Sequence, residues 1–172
     1  MKITFRTTSR EDVTHLPPIE RAAAQRFRDV PALAWLAESA VISAEQHLGY
    51  VDQDLSWLAL ANDRPVGFIL AEAHPASLFI VEVSVDPGWQ QKGIGRRLIH
   101  CVAEAAKVRG LTSLTLTTFC DVPWNAPFYA KLGFAEVADE ALTPELRQKR
   151  EEEAAHGFAY GSRCAMRLPP AN

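Results

Sequence analysis

The 172-residue chain has little of what staples, spans or coats a protein. Its three cysteines, Cys101, Cys120 and Cys164, are an odd count with no spacing that suggests a bridge or a zinc site. No apolar run approaches the ~18 residues of a membrane span. The opening stretch Met1-Lys2-Ile3-Thr4-Phe5-Arg6 lacks the apolar core of a signal peptide. A reducing cytoplasm is the expected compartment, with no membrane partner. Neither charge sign dominates: 18 Lys+Arg stand against 21 Asp+Glu, a net charge of −3. That balance excludes a strongly basic footprint, so no nucleic-acid partner is expected. His15, His47, His100 and His156 share no ligand spacing, and no metal site is expected.

What is present is the balance of a globular chain, 48% hydrophobic and 23% charged. Repeats, low-complexity tracts and long linkers are missing, which predicts one domain over residues 1–172. Lys2 to Arg6 alternates as a short strand. Ser9-Arg10-Glu11-Asp12 offers a helix cap, and a helix is predicted from Pro17-Pro18 through Phe27. Trp35 to Tyr50 has a weaker helical pattern. Ser56 to Ala61 and Pro65 to Glu72, separated by Asn62-Asp63-Arg64, read as a hairpin. Leu78 to Val85 is a third strand.

The clearest helix runs from Gly93 to Arg109, because Ile94, Leu98, Cys101, Val102 and Ala105 recur at helical spacing and Gly110 stops it. A Thr-rich strand follows at Leu114 to Thr118, then a short helix at Asn125 to Leu132 and a strand at Phe134 to Val137. Thr143-Pro144 starts another helix, an insertion near 143–156 before a last strand at Arg163 to Leu168. Early strands joined by hairpins and later strands joined by helices make a mixed α/β domain.

The informative segment is Val81 to Leu98: strand, turn, glycine-containing loop, long helix. Glycines at a helix mouth let backbone N–H groups approach an anion, and the positive helix end favours phosphate. Gly93-Ile94-Gly95 is not a dinucleotide fingerprint, since Leu98 stands where a third Gly or Ala belongs. A Walker loop would need Gly-Lys-Ser/Thr, which is missing.

Gln90-Gln91-Lys92-Gly93-Ile94-Gly95 resembles the Q/R-x-x-G-x-G/A loop of the GNAT superfamily of N-acetyltransferases. About thirty residues on, Asn125-Ala126-Pro127-Phe128-Tyr129-Ala130-Lys131-Leu132-Gly133-Phe134 resembles the N…FYxKLGF segment of the same superfamily. The resemblance covers roughly residues 2–137. It implies a mostly antiparallel twisted sheet of six to seven strands, flanked by helices and with splayed central strands. It also implies acetyl-CoA as co-substrate. Backbone amides of Gln91, Lys92, Gly93, Ile94, Gly95 and Arg96 would hold the pyrophosphate; Gln90, Gly93 and Gly95 either contact phosphate or only shape the turn and helix start. Main chain around Val83 and Val85 would hold the pantetheine, with the thioester toward the opening between Leu78–Val85 and Leu114–Thr118. Asn125 and Phe128 would contact the coenzyme, and Tyr129 would sit near its sulfur.

Within that resemblance Tyr129 assists departure of the thiolate, and its alternative is a core aromatic beside Phe128 and Phe134. With a phenol near 10 and a thiol near 8.5, full proton transfer is uphill by about 2 kcal/mol, so a hydrogen bond serves as well. Strand alternation puts Glu82 on one face with Leu78, Ile80 and Ser84. A carboxylate in an apolar strand needs a reason: a general base for the incoming ammonium, or a partner for an Arg or for backbone amides. Lys92, Arg96 and Arg97 either pair with phosphates or form a solvated face. Phe119 and Trp124 wall an acceptor pocket or pack the core. Cys120 is an acyl-Cys candidate or an inert small hydrophobe, and Glu151-Glu152-Glu153 attracts a cationic acceptor or forms a solvated face.

The implied activity is acetyl transfer from acetyl-CoA to a primary amine, small-molecule or peptide, by direct attack in a ternary complex. The alternatives are a protein N-terminal or lysine acetyltransferase, and a non-catalytic acyl-CoA-binding module. The resemblance also allows a homodimer.

Overall fold

The computed structural model describes residues 2–169. Seven strands form one open sheet in the order β1-β2-β3-β4-β5-β7-β6. They are β1 (Ile3–Thr7), β2 (Ser56–Ala61), β3 (Arg64–Ala73), β4 (Ser77–Val85), β5 (Ser113–Phe119), β6 (Ala135–Val137) and β7 (Arg163–Leu168). The helices are α1 (Leu16–Ala24), α2 (Ala44–Asp52), α3 (Ile94–Val108), α4 (Ala126–Lys131) and α5 (Pro144–Ala155). The architecture is the mixed, mostly antiparallel α/β sheet flanked by helices that the resemblance implies. One pairing is parallel, β4 with β5, from Ser77↔Ser113 to Phe79↔Thr115.

The described chain divides into two compact units, one of residues 2–72 and 81–102, the other of 73–80 and 103–169. In the first, β1 pairs antiparallel with β2 from Ile3↔Ala61 to Thr7↔Trp57, and β2 with β3 across a bulge at Ala59/Leu60. Asn62 and Asp63 turn the hairpin at φ 50° and 68°. Both lie in the left-handed region, which Asn and Asp tolerate better than other side chains. Period-two alternation puts Leu58 and Leu60 of β2 and Phe68 and Leu70 of β3 on one face. They bury against Leu16 and Ile19 of α1, with Ile42, Tyr50 and Val81 packed around them. Each such side chain is worth about 1.5–3 kcal/mol of transfer from water.

Helix starts follow local chemistry. Ser43 caps α2, its Oγ accepting the Gln46 amide at 3.1 Å while Gln46 Oε1 accepts the Ser43 amide at 2.9 Å. The helix predicted through Phe27 ends at Ala24, and the chain continues as 3-10 turns at Gln25–Asp29 and Pro31–Glu38. Pro31 lacks an N–H and pushes Val30 into extended backbone, φ −116° and ψ 99°, so helical bonding cannot carry through.

In the second unit β5 pairs antiparallel with β7 from Leu114↔Leu168 to Phe119↔Arg163, and β7 with β6 from Ala135↔Arg167 to Val137↔Ala165. Thr143 caps α5 through its Oγ1, which accepts the Leu146 amide at 3.2 Å. The predicted helix before the last strand is therefore present, as α5.

Candidate functional site

In the first unit the chain leaves β4 at Asp86, whose Oδ1 accepts the Gly88 amide at 3.0 Å. A short 3-10 turn, Pro87–Trp89, follows. Gln90 Nε2 donates to the Val85 carbonyl at 2.9 Å and ties the loop to the strand it has just left. Of the two expectations for Gln90, phosphate contact or turn residue, its side chain takes the second. The backbone then turns left-handed at Gln91 (φ 62°) and again at Gly93 (φ 79°). A non-glycine residue pays for that conformation, so the turn explains the residue type at position 93.

Helix α3 opens at once: the Arg97 amide donates to the Gly93 carbonyl at 3.1 Å. The first amides of an α-helix have no acceptor inside it, and the helix dipole makes that end positive. Ile94 and Leu98 are buried and anchor the first turns, while Gln91, Lys92, Gly93 and Arg96 are exposed. Arg97 is drawn off to Phe5, its guanidinium carbon 4.1 Å from the ring centroid. Gly67 on β3 lets the elements approach. A Cβ there would lie 3.1 Å from the Ser84 carbonyl and 3.4 Å from Ile94 Cγ2.

Both faces of β4 are covered in its first half, where Phe79 is buried as well as Leu78 and Ile80. Leu78, Ile80 and Ser84 are buried, and Glu82 on the same face is half-buried. Ser84 Oγ donates to Glu82 Oε1 at 3.1 Å, a neighbour contact that orients the carboxylate. Val83 and Val85 alternate to the other face and are also half-buried.

In the second unit Asn125 precedes α4, at φ −112° and ψ −115°, and its side chain does not cap the helix. Pro127 in the first turn fits the helix start. Tyr129 is buried, 7% exposed, with edge contacts to Phe128 (centroids 5.3 Å) and Phe134 (5.6 Å). Its carbonyl accepts the amides of Leu132 and Phe134. The phenol ring is therefore fixed on both sides, as both readings of this residue require. Gly133 closes α4 at φ 103°, and a Cβ there would meet Leu168 Cδ1 at 3.2 Å.

The named residues fall into two groups. Glu82, Val83, Val85 and 90–96 belong to the first unit, and Asn125, Phe128 and Tyr129 to the second. The second unit also holds a cluster that sequence reasoning misses. Glu153 is not part of a solvated face: its side chain is 18% exposed and Arg163 Nε lies 3.0 Å from its Oε1. The Thr117 hydroxyl and Arg163 Nη2 both donate to its Oε2. Arg150, 5% exposed, stands 4.0 Å from the same carboxylate, and its Nη2 donates to the Tyr160 carbonyl at 3.2 Å. The guanidiniums stack on aromatic rings, Arg150 on Tyr160 at 4.0 Å and Arg163 on Phe119 at 4.4 Å. One carboxylate thus serves two cations, and ring faces carry the excess charge. Phe119 is core in this cluster. The sequence holds a faint signal in the i, i+3 spacing of Arg150 and Glu153, but β7 supplies the decisive Arg163.

Among the described residues no group of three or more His, Cys, Asp or Glu side chains could hold a metal ion. No helix among them is long and apolar enough to cross a membrane.

The fold is a seven-stranded mixed α/β sheet with a left-handed glycine turn opening α3, and comparison with known proteins gives it a family. Residues 20–134 match the model of the acetyltransferase (GNAT) family, and the chain belongs to that family. It is 33% identical over 92 residues to an uncharacterized N-acetyltransferase of Methanocaldococcus jannaschii, covering 49% of this chain and 41% of that one. It is 28% identical over 76 residues to the ribosomal protein bS18-alanine N-acetyltransferase of Salmonella typhimurium, covering 44% and 51%. The matches span about half or less of those relatives' length. In structure it is similar to the PaiA N-acetyltransferase of Thermoplasma acidophilum in complex with coenzyme A, with TM-score 0.72 and 20% identity over 98% of this chain and 99% of that one.

Proposed function

We propose that this chain is an acetyltransferase that moves an acetyl group from acetyl-CoA to a primary amine by direct attack in a ternary complex. The observation that carries the reading is the mouth of α3. Left-handed backbone at Gln91 and Gly93 leads directly into a helix start in a loop that is exposed and carries Lys92 and Arg96. Those features fit a diphosphate: open amides, a positive helix end and flanking cations. Gln91, Lys92, Gly93, Ile94, Gly95 and Arg96 would bind it through main chain, with Gln90 fixing the loop. Val83 and Val85 would offer main-chain hydrogen bonds to the pantetheine arm, and Asn125 and Phe128 would contact the coenzyme. Acetyl-CoA supplies an activated acyl thioester.

Glu82 receives the proton that the amine must lose. An alkylammonium near 10.4 costs about 4–5 kcal/mol to deprotonate at pH 7, so an oriented carboxylate, acting through water, has work to do. Tyr129 donates a hydrogen bond to the departing thiolate. The acceptor is a small-molecule or peptide amine. A protein N-terminus is the second reading, and it draws on the likeness to the bS18-alanine enzyme. Three free thiols accord with a reducing, cytoplasmic setting. A homodimer remains part of the proposal on family grounds.

The test is coenzyme A thiol release from acetyl-CoA with a panel of amines, peptide N-termini and lysine peptides. Turnover with at least one acceptor, reduced tenfold or more in Tyr129→Phe and Glu82→Gln while calorimetric affinity for coenzyme A is kept, supports the assignment. No affinity for coenzyme A in folded protein overturns it. Affinity without turnover on the whole panel would favour a binding module.

A further inference from the structure

The β5–β7 register sets two of the three cysteines side by side. Thr118 lies opposite Cys164, and Phe119 opposite Arg163. Cys120 is two residues beyond Thr118 and continues its face, so it is the diagonal neighbour of Cys164. One ladder bond holds it there, its amide donating to the Ser162 carbonyl at 2.9 Å. The Cys120 thiol is half-buried and donates to the Gly161 carbonyl at 3.8 Å, whereas Cys164 is buried, 4% exposed. Cys101, on α3, takes no part in this register.

We infer that Cys120 and Cys164 form an oxidisable pair, a site of reversible modification by hydroperoxides that closes an intramolecular disulfide between the end of β5 and the start of β7. The roles follow from access. Cys120 is the thiol a peroxide can reach. Cys164 keeps its proton, pushed up to about 12 by burial first and then by the neighbouring Cys120 thiol. Access alone makes Cys120 the attacking group and buried Cys164 the resolving one.

In the first step the Cys120 sulfur, having lost its proton, attacks one peroxide oxygen. An S–O bond forms, the O–O bond breaks, and the second oxygen leaves to be protonated as water. Sulfur gives up two electrons and the peroxide takes them, leaving a sulfenic acid. In the second step the Cys164 sulfur attacks the sulfenic sulfur. An S–S bond forms, the S–O bond breaks, and the hydroxide departs with the Cys164 proton as a second water.

Regular diagonal neighbours stand about 7–8 Å apart at Cα, beyond the 4.4–6.8 Å a disulfide spans. Cys120 lies just past the last residue of β5, in a bend outside the regular strand geometry that sets that spacing. Residues 120–125 lead straight to Asn125 and Tyr129, so oxidation fixes the root of the segment that carries them.

The experiment treats the reduced full-length chain with hydrogen peroxide, blocks remaining thiols with N-ethylmaleimide, and maps tryptic peptides by mass. Two of the three thiols become unavailable, and peptide 110–131 is recovered joined to peptide 164–167. Dithiothreitol separates them, Cys101→Ser keeps the link, and Cys120→Ser and Cys164→Ser lose it. Recovery of Cys120 as a sulfinic acid with Cys164 still alkylated overturns the inference. So does a link between two chains, or to Cys101. The unmutated chain decides the matter by itself if a variant fails to fold.

Discussion

Arg163 Nε lies 3.0 Å from Glu153 Oε1, a guanidinium on β7 against a carboxylate on α5, with side chains 14% and 18% exposed. Breaking a buried pair from one side leaves the other charge stranded, which costs about 3–5 kcal/mol. Here removal of Glu153 strands two cations. Glu153→Ala is expected to lower the unfolding free energy by about that amount, and Thr117→Val by about 1 kcal/mol, the value of a hydrogen bond. Equal midpoints for Glu153→Ala and the parent chain in urea titrations would show the cluster to be energetically idle.

Glu82→Gln separates proton removal from binding. The variant keeps the shape and the acceptor for Ser84 Oγ but loses the charge. Turnover is expected to fall at least tenfold near pH 7 and to recover toward pH 9–10, where the amine sheds its proton without help. A pH–rate profile parallel to that of the parent enzyme would remove Glu82 from proton transfer.

Gly93→Ala places a Cβ at φ 79° where nothing lies within 4 Å. The cost is conformational and not steric, roughly 1–2 kcal/mol, and it falls on the loop. Affinity for coenzyme A, read by calorimetry, should weaken about tenfold with the fold retained. Gly67→Ala differs, because its Cβ would press on the Ser84 carbonyl at 3.1 Å, and it should lower thermal stability first.

His47 is wholly buried on α2 with its ring edge-on to Phe68 at 5.0 Å, and neither ring nitrogen has a hydrogen-bond partner. Burial lowers its pKa from 6.5 to about 4. Between those values the unfolded chain binds the proton and the folded chain does not, so stability falls as pH drops through the window. Going from pH 7 to pH 5 should cost the parent chain about 2 kcal/mol more than His47→Leu. Asp12 adds to acid lability lower down, since its hydrogen bond with Arg6 holds its carboxyl near 2. Identical pH slopes for parent and variant between 7 and 5 would refute the His47 account.

Much of this could be read before any coordinates, and the reason is locality. The hairpin at Asn62-Asp63 needs residues that tolerate positive φ, Thr143-Pro144 is a cap followed by a proline, and Gly110 stops α3 at φ 72°. Each is decided by a few neighbouring residues. The loop at 90–96 was legible for the same reason, because a left-handed turn into a helix is written in consecutive residues. The 3-10 turns at 25–38 were less so: Ala-rich and apolar sequence there favours helix, and only Pro31 argues otherwise.

Composition, periodicity and two short motifs thus determined the order of elements, the family resemblance and the candidate site residues. Pairing across the sheet determined the rest. No local pattern states that Arg163 meets Glu153, that Cys120 neighbours Cys164, or that His47 is sealed without a partner. These depend on register between strands separated by some forty residues, and on which side chains a helix covers once it docks. A chain specifies local geometry through short-range sterics and hydrogen bonding, but charge pairing and burial are properties of the packed whole.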